Sequence, residues 1–391
     1  MDHASLTYLV FFSILFVFFA FPVFSKYRRN ISGNVFAVPK RPLLLDWSVM
    51  LPCIIYAFLV GFRYDYGYDW KQYFYTFNFI QEGRLFRETT EIGYLFINRL
   101  IGLAGGDFYT LLIIESFFWV FSLCFLLRSN RRAIRIVLPL FIASTWFRVL
   151  NLSRQHFAMS LFFIAVAFLF DGKKKKYLIL ALIAASIHTS VLIFIIPFFF
   201  LDRIKKIPSL KKILLCYLGA VTLKNVMINV LLSMGTFFTM YVITNKGYTA
   251  DSLLADTFQW QVSLSKMLSG YFLDVVTILG VAFLLKHSAL YDETGKKTAE
   301  YYIYILGIVG ALLRPIGECH EIFSRTFMYF TYFEYICFGL WIFYLLKHFR
   351  ADVIPYWLKA VSMLALMYKL YSAYFSLQSQ VLAGMCIEYI L

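Results

Sequence analysis

Residues 173–212 read KKKKYLILALIAASIHTSVLIFIIPFFFLDRIKKIPSLKK. The apolar stretch 177–201 is interrupted near its middle by Ser186-Ile187-His188-Thr189-Ser190. Four lysines precede it, and Arg203, Lys205, Lys206, Lys211 and Lys212 follow. A helix needs roughly 20 apolar residues to cross about 30 Å of hydrocarbon, so one crossing is long enough. It would leave one basic cluster outside, and would send Lys286, Lys296, Lys297, Lys347 and Arg350 out as well, against the rule that basic loops stay in the cytoplasm. Two half-length helices that enter and return keep every cluster inside. About 12 residues per half reach about 18 Å, which brings the His188 apex past the midplane. The sequence therefore predicts a re-entrant hairpin over 177–201. A Ser209→Cys variant is expected to resist an impermeant thiol reagent added outside; outside labelling would mean a single crossing.

Outward from this stretch the rest of the chain is equally apolar. Of 391 residues, 61% are hydrophobic, 20% aromatic and 15% charged. Soluble domains carry about 25% charged residues, so a water-soluble globule is excluded. The net charge of +15 lies in short runs between apolar segments, which records membrane orientation and does not indicate a nucleic-acid partner. Spans are expected at 5–25, 43–62, 108–127, 213–233, 267–285, 326–346 and 354–377, with shorter ones at 134–150, 155–170 and 300–313. The result is a single all-α domain over 1–391, a polytopic membrane protein of about ten spans plus the hairpin. Two outer segments, 63–107 and 234–265, complete it. The first run lacks a basic leader and is followed by Lys26, Arg28 and Arg29, which reads as an uncleaved span with its N-terminus outside. The six cysteines show no CxxC spacing and read as buried thiols, and no P-loop, GxGxxG or HExxH is present.

With the hairpin, several polar clusters share the outer face. The first runs Arg63-Tyr64-Asp65-Tyr66-Gly67-Tyr68-Asp69-Trp70-Lys71-Gln72-Tyr73. On a helix Asp65 and Asp69 would share a face; Gly67 makes an irregular turn an equal alternative. Aromatic rings beside carboxylates suit sugars, and Tyr68, Trp70 and Tyr73 are the candidate platforms. The plainer alternative is an aromatic belt with solvated acids. Glu91 before an apolar run can serve as a first-turn carboxylate favoured by the helix dipole. Arg154-Gln155 opens a later span, with Arg148 shortly before; an arginine there either snorkels to the interface or grips an anion through its planar fork. His188 is either a satisfied core residue or an actor at membrane depth. The last cluster, Arg314 to Arg325, holds two arginines with Glu318, His320 and Glu321, and Arg325 can pair with Glu321 at i,i+4 spacing. Arginines near the bilayer with aromatics and carboxylates outside fit one ligand class, a lipid-linked diphosphate sugar.

The chain resembles the EpsG family, a branch of the bacterial Wzy-type polysaccharide polymerases. The resemblance rests on Arg63, Gly67, Asp69 and Tyr73, on Glu91-Ile92-Gly93, on Arg154-Gln155, and on a lysine-rich turn followed by Ala185-Ser186-Ile187-His188-Thr189-Ser190. It implies a GT-C-like membrane glycosyltransferase that joins undecaprenyl-diphosphate-linked oligosaccharide units into O-antigen, capsule or exopolysaccharide. The site would face the outside of the bacterial inner membrane, with no cofactor and no required metal; a chain-length co-polymerase is the implied protein partner. In that reading Arg63, Arg154, Arg314 and Arg325 hold the diphosphate and stabilise its departure. The base that takes the acceptor proton is Asp69, His188 or Asp65, in that order. Tyr68, Trp70 and Tyr73 hold the sugar, with Glu91, Gln155 and Glu321 ordering the groups around it. Three rivals stand beside it: an O-antigen ligase, a non-enzymatic flippase or transporter, and a membrane acyltransferase.

Overall fold

The computed structural model describes residues 2–24, 42–84, 90–204, 206–224, 226, 264–288, 290–291, 293–318 and 321–389. Local capping explains where several helices begin. In α1 (His3–Ala20) the Asp2 carboxylate accepts from the Ser5 amide at 2.9 Å. Asp46 caps α2 (Trp47–Gly61) through Ser48 and also meets Arg131 at 2.7 Å, an ion pair buried on both sides. Removing one partner of such a pair leaves an uncompensated charge, at a cost of about 3–5 kcal/mol. A capping box between Asp107 and Thr110 starts α5 (Phe108–Leu126). The remaining helices of this first unit are α3 (Trp70–Gln81), α4 (Ile92–Leu103), α6 (Ile134–Asn151), α7 (Ser153–Phe170), α8 (Lys174–Ile187) and α9 (Leu192–Phe199).

The chain divides into two compact units, Met1–Arg203 with Leu366–Leu391, and Ile204–Ala365. In the first, α5 packs between α2 and α7, α7 packs on α8, and α1 lies on α6. Buried Val120, Leu123 and Cys124 of α5 and Phe162, Phe163 and Val166 of α7 belong to its core. A two-stranded antiparallel sheet joins β1 (Arg63–Tyr64) to β2 (Glu388–Tyr389), pairing Arg63 with Tyr389. Tyr66 is held beside it, accepting from the Trp146 indole at 3.0 Å and donating to Gln380 at 3.3 Å.

The 173–212 stretch breaks at His188, whose backbone is extended (φ −150°, ψ 116°). A 3-10 turn, Thr189–Val191, follows and leads into α9. The two arms then run back along each other: the Tyr177 hydroxyl donates to the Ile195 carbonyl at 2.7 Å, and Lys174 meets Asp202 at 2.6 Å. The arms are unequal, 14 residues against 8, where the sequence implied equal halves. Pro197, which cannot donate into the ladder, lies in the shorter arm.

The second unit contains a helix over 210–224, here α10, then α11 (Leu264–His287), α12 (Ala299–Gly317), α13 (Glu321–Lys347) and the start of α14 (Tyr356–Leu382). The α12–α13 pair is its most extensive packing, and α11 lies against both. Buried Ile213, Tyr217 and Ala220 mark the inner face of α10 at helical spacing.

Among the described residues, seven helical segments are long and apolar enough to span a membrane: His3–Phe24, Phe108–Leu126, Arg131–Asn151, Ser153–Phe170, Met267–His287, Ala299–Gly317 and Phe323–Lys347. The chain is thus an all-α polytopic membrane protein. Two expected spans fall short of that standard. The 43–62 stretch yields a helix of only 15 residues, and α14, with Lys359, Lys369, Gln378 and Gln380 along it, is too polar. The 213–233 span continues outside the described residues, as does nearly all of the expected outer loop 234–265.

Candidate functional site

The segment 63–107, expected as an outer segment, is not one loop. It carries α3 and α4, and the polar run before α3 is an irregular turn. Asp65 has φ 45° and Gly67 φ 111°, so these residues do not form a helix and Asp65 and Asp69 do not share a helical face. A Cβ on Gly67 would stand 2.9 Å from the Asn151 side-chain oxygen, and that oxygen accepts the Tyr68 amide at 2.6 Å. Gly67 thus combines a backbone that side chains disfavour with a close approach to the end of α6. Asp65 pairs with Lys71 at 2.9 Å, and Asp69 forms the N-terminal boundary of α3.

Glu91 immediately precedes α4, but its side chain caps no backbone amide. Instead one oxygen lies 2.8 Å from Arg154 Nη1 and the other 3.0 Å from His188 Nδ1. One carboxylate thus joins three separate elements: the entrance of α4, the first turn of α7 and the break after α8. Gly93 makes this possible. A Cβ there would lie 2.7 Å from the Ser186 carbonyl carbon, so α4 approaches the end of α8 more closely than any larger residue permits. Arg154 also stands over the Tyr94 ring at 5.7 Å.

Burial pushes the Glu91 carboxyl up, but the His188 hydrogen bond and the charges of Arg154 and His188 outweigh it and hold it at about 2. Glu91 is therefore ionised and can only accept. His188 Nδ1 then carries the proton, which makes Nε2 the basic nitrogen of the neutral ring. The arrangement can bind an anion at a guanidinium and accept a proton at an oriented imidazole, two operations that a transfer from a diphosphate requires.

A second set adjoins it through Arg154. Arg63 is buried, donates to the Val60 carbonyl at 2.8 Å, and its own carbonyl accepts the Trp70 indole at 3.2 Å. Burial lowers its affinity for the proton, and Glu115 opposes that. Glu115, inside α5, accepts a hydrogen bond from Ser153 and lies within electrostatic reach of both Arg63 and Arg154. The Tyr73 hydroxyl reaches the Arg154 backbone amide, and burial pushes that phenol up to about 12. Arg63, Glu115, Ser153, Tyr73 and Arg154 thus form one largely buried network that adjoins Glu91 through Arg154.

Several expected roles change. Trp70 is not a sugar platform: it is buried, stacked on Phe74 and edge-on to Phe108. Tyr68 is 74% exposed and Tyr73 half-buried, while Gln155 is buried in the first turn of α7. Arg63 is covered and cannot meet a ligand as an exposed fork; Arg154, with 21% of its side chain accessible, can. Arg314, expected to grip an anion, is surrounded by acids: Asp274 at 2.7 Å, with Glu318 and Glu334 each at 3.9 Å. Three carboxylates around one guanidinium give a negative field that repels a diphosphate. Arg325 is exposed on α13. Cys319, His320 and the Glu321 side chain lie outside the described residues.

Glu115, Asp274 and Glu334, each a carboxylate inside an apolar helix, stand outside the residues expected from sequence. So does His156, buried edge-on to Trp119 with Nδ1 2.8 Å from the Leu152 carbonyl. The signal was present, since an ionisable residue within a span is costly and rarely idle. The expectation that charge gathers at one face is corrected accordingly.

Fold and site together define a polytopic helical membrane protein in which guanidinium, carboxylate and imidazole groups meet at the ends of its helices. The chain matches the EpsG family over residues 46–383 and belongs to it. That family is related to the Wzy-type polymerases, which gives the chain a polysaccharide polymerase-type function. No curated protein and no solved structure matches it.

Proposed function

We propose that this chain is a GT-C-like glycosyltransferase that joins undecaprenyl-diphosphate-linked oligosaccharide units at the outer face of the bacterial inner membrane. The growing glycan leaves its lipid diphosphate and joins a hydroxyl of the incoming lipid-linked unit. A glycosidic bond forms, the bond from anomeric carbon to phosphate oxygen breaks, and the diphosphate leaves with the electron pair. The carrying observation is Glu91 gripping Arg154 and His188 at once.

In this reading Arg154 meets the diphosphate and stabilises the charge that grows on it, a contribution usually among the largest in catalysis. His188 Nε2 takes the acceptor hydroxyl's proton, while Glu91 fixes the ring and its tautomer. Among the three base candidates, His188 has an ionised carboxylate fixed to its other nitrogen, whereas Asp65 is engaged with Lys71. Arg63, within electrostatic reach of Glu115, is a buried counter-charge to that carboxylate beside the site. Tyr68 is an accessible aromatic for the sugar. The hairpin over 177–201 re-enters from the cytoplasmic side and carries His188 to the site. A chain-length co-polymerase would act beside it.

Glu115, Asp274 and Glu334 inside spans are what a transporter also displays, so a flippase is the second reading. Purified protein supplied with a lipid-linked repeat unit separates them. Lengthened glycan with released lipid diphosphate is expected. Movement across the bilayer without a new bond would establish the flippase, and transfer only onto lipid A core the ligase.

A further inference from the structure

An exposed arginine stands at the turn between α6 and α7. Arg148 lies in the last turn of α6, and among the described residues no hydrogen bond or ion pair engages its guanidinium. Its backbone carbonyl accepts the Leu152 amide at 3.1 Å, where the chain breaks (φ −100°, ψ 48°) before α7 begins at Ser153. Arg148 and Arg154 therefore flank one tight break, at the end of one helix and in the first turn of the next. Phe147, the residue before Arg148, meets the exposed Tyr68 ring edge-on at 5.4 Å. The Asn151 side chain donates to the Phe147 carbonyl at 3.0 Å and accepts the Tyr68 amide at 2.6 Å. The accessible aromatic and the end of α6 are thus fastened together by residues on either side of Arg148. Arg148 and His188 both lie within electrostatic reach of the His156 ring of α7.

Charge decides what Arg148 can do. Glu91 is ionised and lies 2.8 Å from Arg154, so with His188 neutral these three groups carry no net charge. Arg63 is buried and set against Glu115, and Lys71 is engaged with Asp65 at 2.9 Å. A diphosphate esterified at both ends carries two negative charges. A neutral group of side chains does not offset them, and bringing an uncompensated dianion out of water is costly. A further cation with open donors is required, and Arg148 is one. The end of α6 favours a positive charge through the helix dipole, but any cation satisfies that effect and the guanidinium fork stays available. We propose that Arg148 is a second phosphate-binding residue, meeting the substrate's diphosphate from the α6 side of the break while Arg154 meets it from the α7 side. The inference rests on the polymerase reading for its ligand. No bond forms or breaks at Arg148, whose fork accepts the same phosphate oxygens before and during transfer. It therefore acts on binding more than on the chemical step.

The test uses the purified full chain in phosphatidylcholine nanodiscs, titrated with sugar-free undecaprenyl diphosphate and, separately, with undecaprenyl monophosphate. The wild type is expected to bind the diphosphate more tightly. Arg148→Gln is expected to weaken diphosphate binding by ~10-fold or more and monophosphate binding far less, while melting as the wild type does. Arg148→Lys keeps a cation at the helix end and should recover only part of that loss. In glycan lengthening Arg148→Gln should raise KM far more than it lowers kcat, unlike Arg154→Ala, which loses the transfer itself. Equal diphosphate binding by wild type and Arg148→Gln would overturn the proposal. A wild-type advantage that disappears once phosphatidylglycerol replaces phosphatidylcholine would overturn it too, by assigning Arg148 to ordinary headgroup phosphates. Arg148-dependent diphosphate binding by a chain that fails to lengthen glycan would overturn the polymerase reading and leave this proposal standing.

Discussion

Arg154→Ala is expected to abolish polymer, lowering repeat-unit transfer by ~10²-fold or more while single units remain on the lipid. The size of the effect follows from the position of Arg154 in both halves of the site. Its guanidinium is the accessible one of the buried network, and it also supplies one of the two contacts that hold Glu91. Removal takes away the phosphate fork and leaves Glu91 with His188 alone. Arg154→Lys separates these roles. Lysine keeps the charge but presents a point where arginine presents a planar fork, so it is expected to recover only part of the rate. Because Arg154 is partly accessible and lies at a helix start, its loss should leave melting far less affected than loss of Arg131 or Asp46, the buried pair. A normal ladder of surface polysaccharide from the alanine variant would remove Arg154 from the site. Protein that fails to accumulate would show as a lost melting transition, which distinguishes misfolding from lost chemistry.

What the sequence made legible depended on whether a feature is local. Basic clusters at both ends of 173–212 and a polar break at His188 are local, and the chain does turn at His188 with Lys174 and Asp202 brought together. The motif residues Glu91, Gly93, Arg154 and His188 were also visible one at a time. Their assembly was not, because it requires α4, α7 and the end of α8 to meet, and side-chain pairing between distant segments leaves no periodic trace. Gly93 illustrates the gap. In sequence it is one glycine among twenty, and only the packed Ser186 backbone shows why a side chain is excluded.

The misread residues share one cause. Most membrane-protein charge lies where spans end, so sequence position favours the residues at those ends. Glu115, Asp274 and Glu334 sit within spans, where the surrounding apolar run dominates the sequence pattern. Arg314 was then read without its partners and given an anion to bind, although Asp274 and Glu334 arrive from facing helices. Trp70 was read by composition, as an aromatic near carboxylates, when its indole is an anchor for the Arg63 backbone. A carboxylate inside a span predicts a partner even when the partner cannot be named, and in each of these three helices one is present.

The same logic gives the second large effect. Glu91→Gln removes one charge and changes almost no volume, yet it should cost ~10²–10⁴-fold in transfer, the scale seen when a carboxylate that fixes a histidine tautomer becomes an amide. The amide can donate to His188 as well as accept from it, so the ring is free to place its proton on Nε2, where a base must have none. Arg154 loses its counter-charge in the same step. The pH dependence carries the sign. Glu91 is held at about 2, below the ordinary carboxylate range. Its stabilisation is therefore complete above that range and is lost as the pH falls through it toward 2. Acid unfolding of the wild type should show that loss, and Glu91→Gln, which has no proton to take up, should lack it. The control is Glu91→Asp. It keeps the charge but falls short by one methylene, so the acid limb should persist in weakened form while transfer stays low. A Glu91→Gln protein that lengthens glycan at the wild-type rate would detach His188 from the chemistry and leave Glu91 as a clamp between helices.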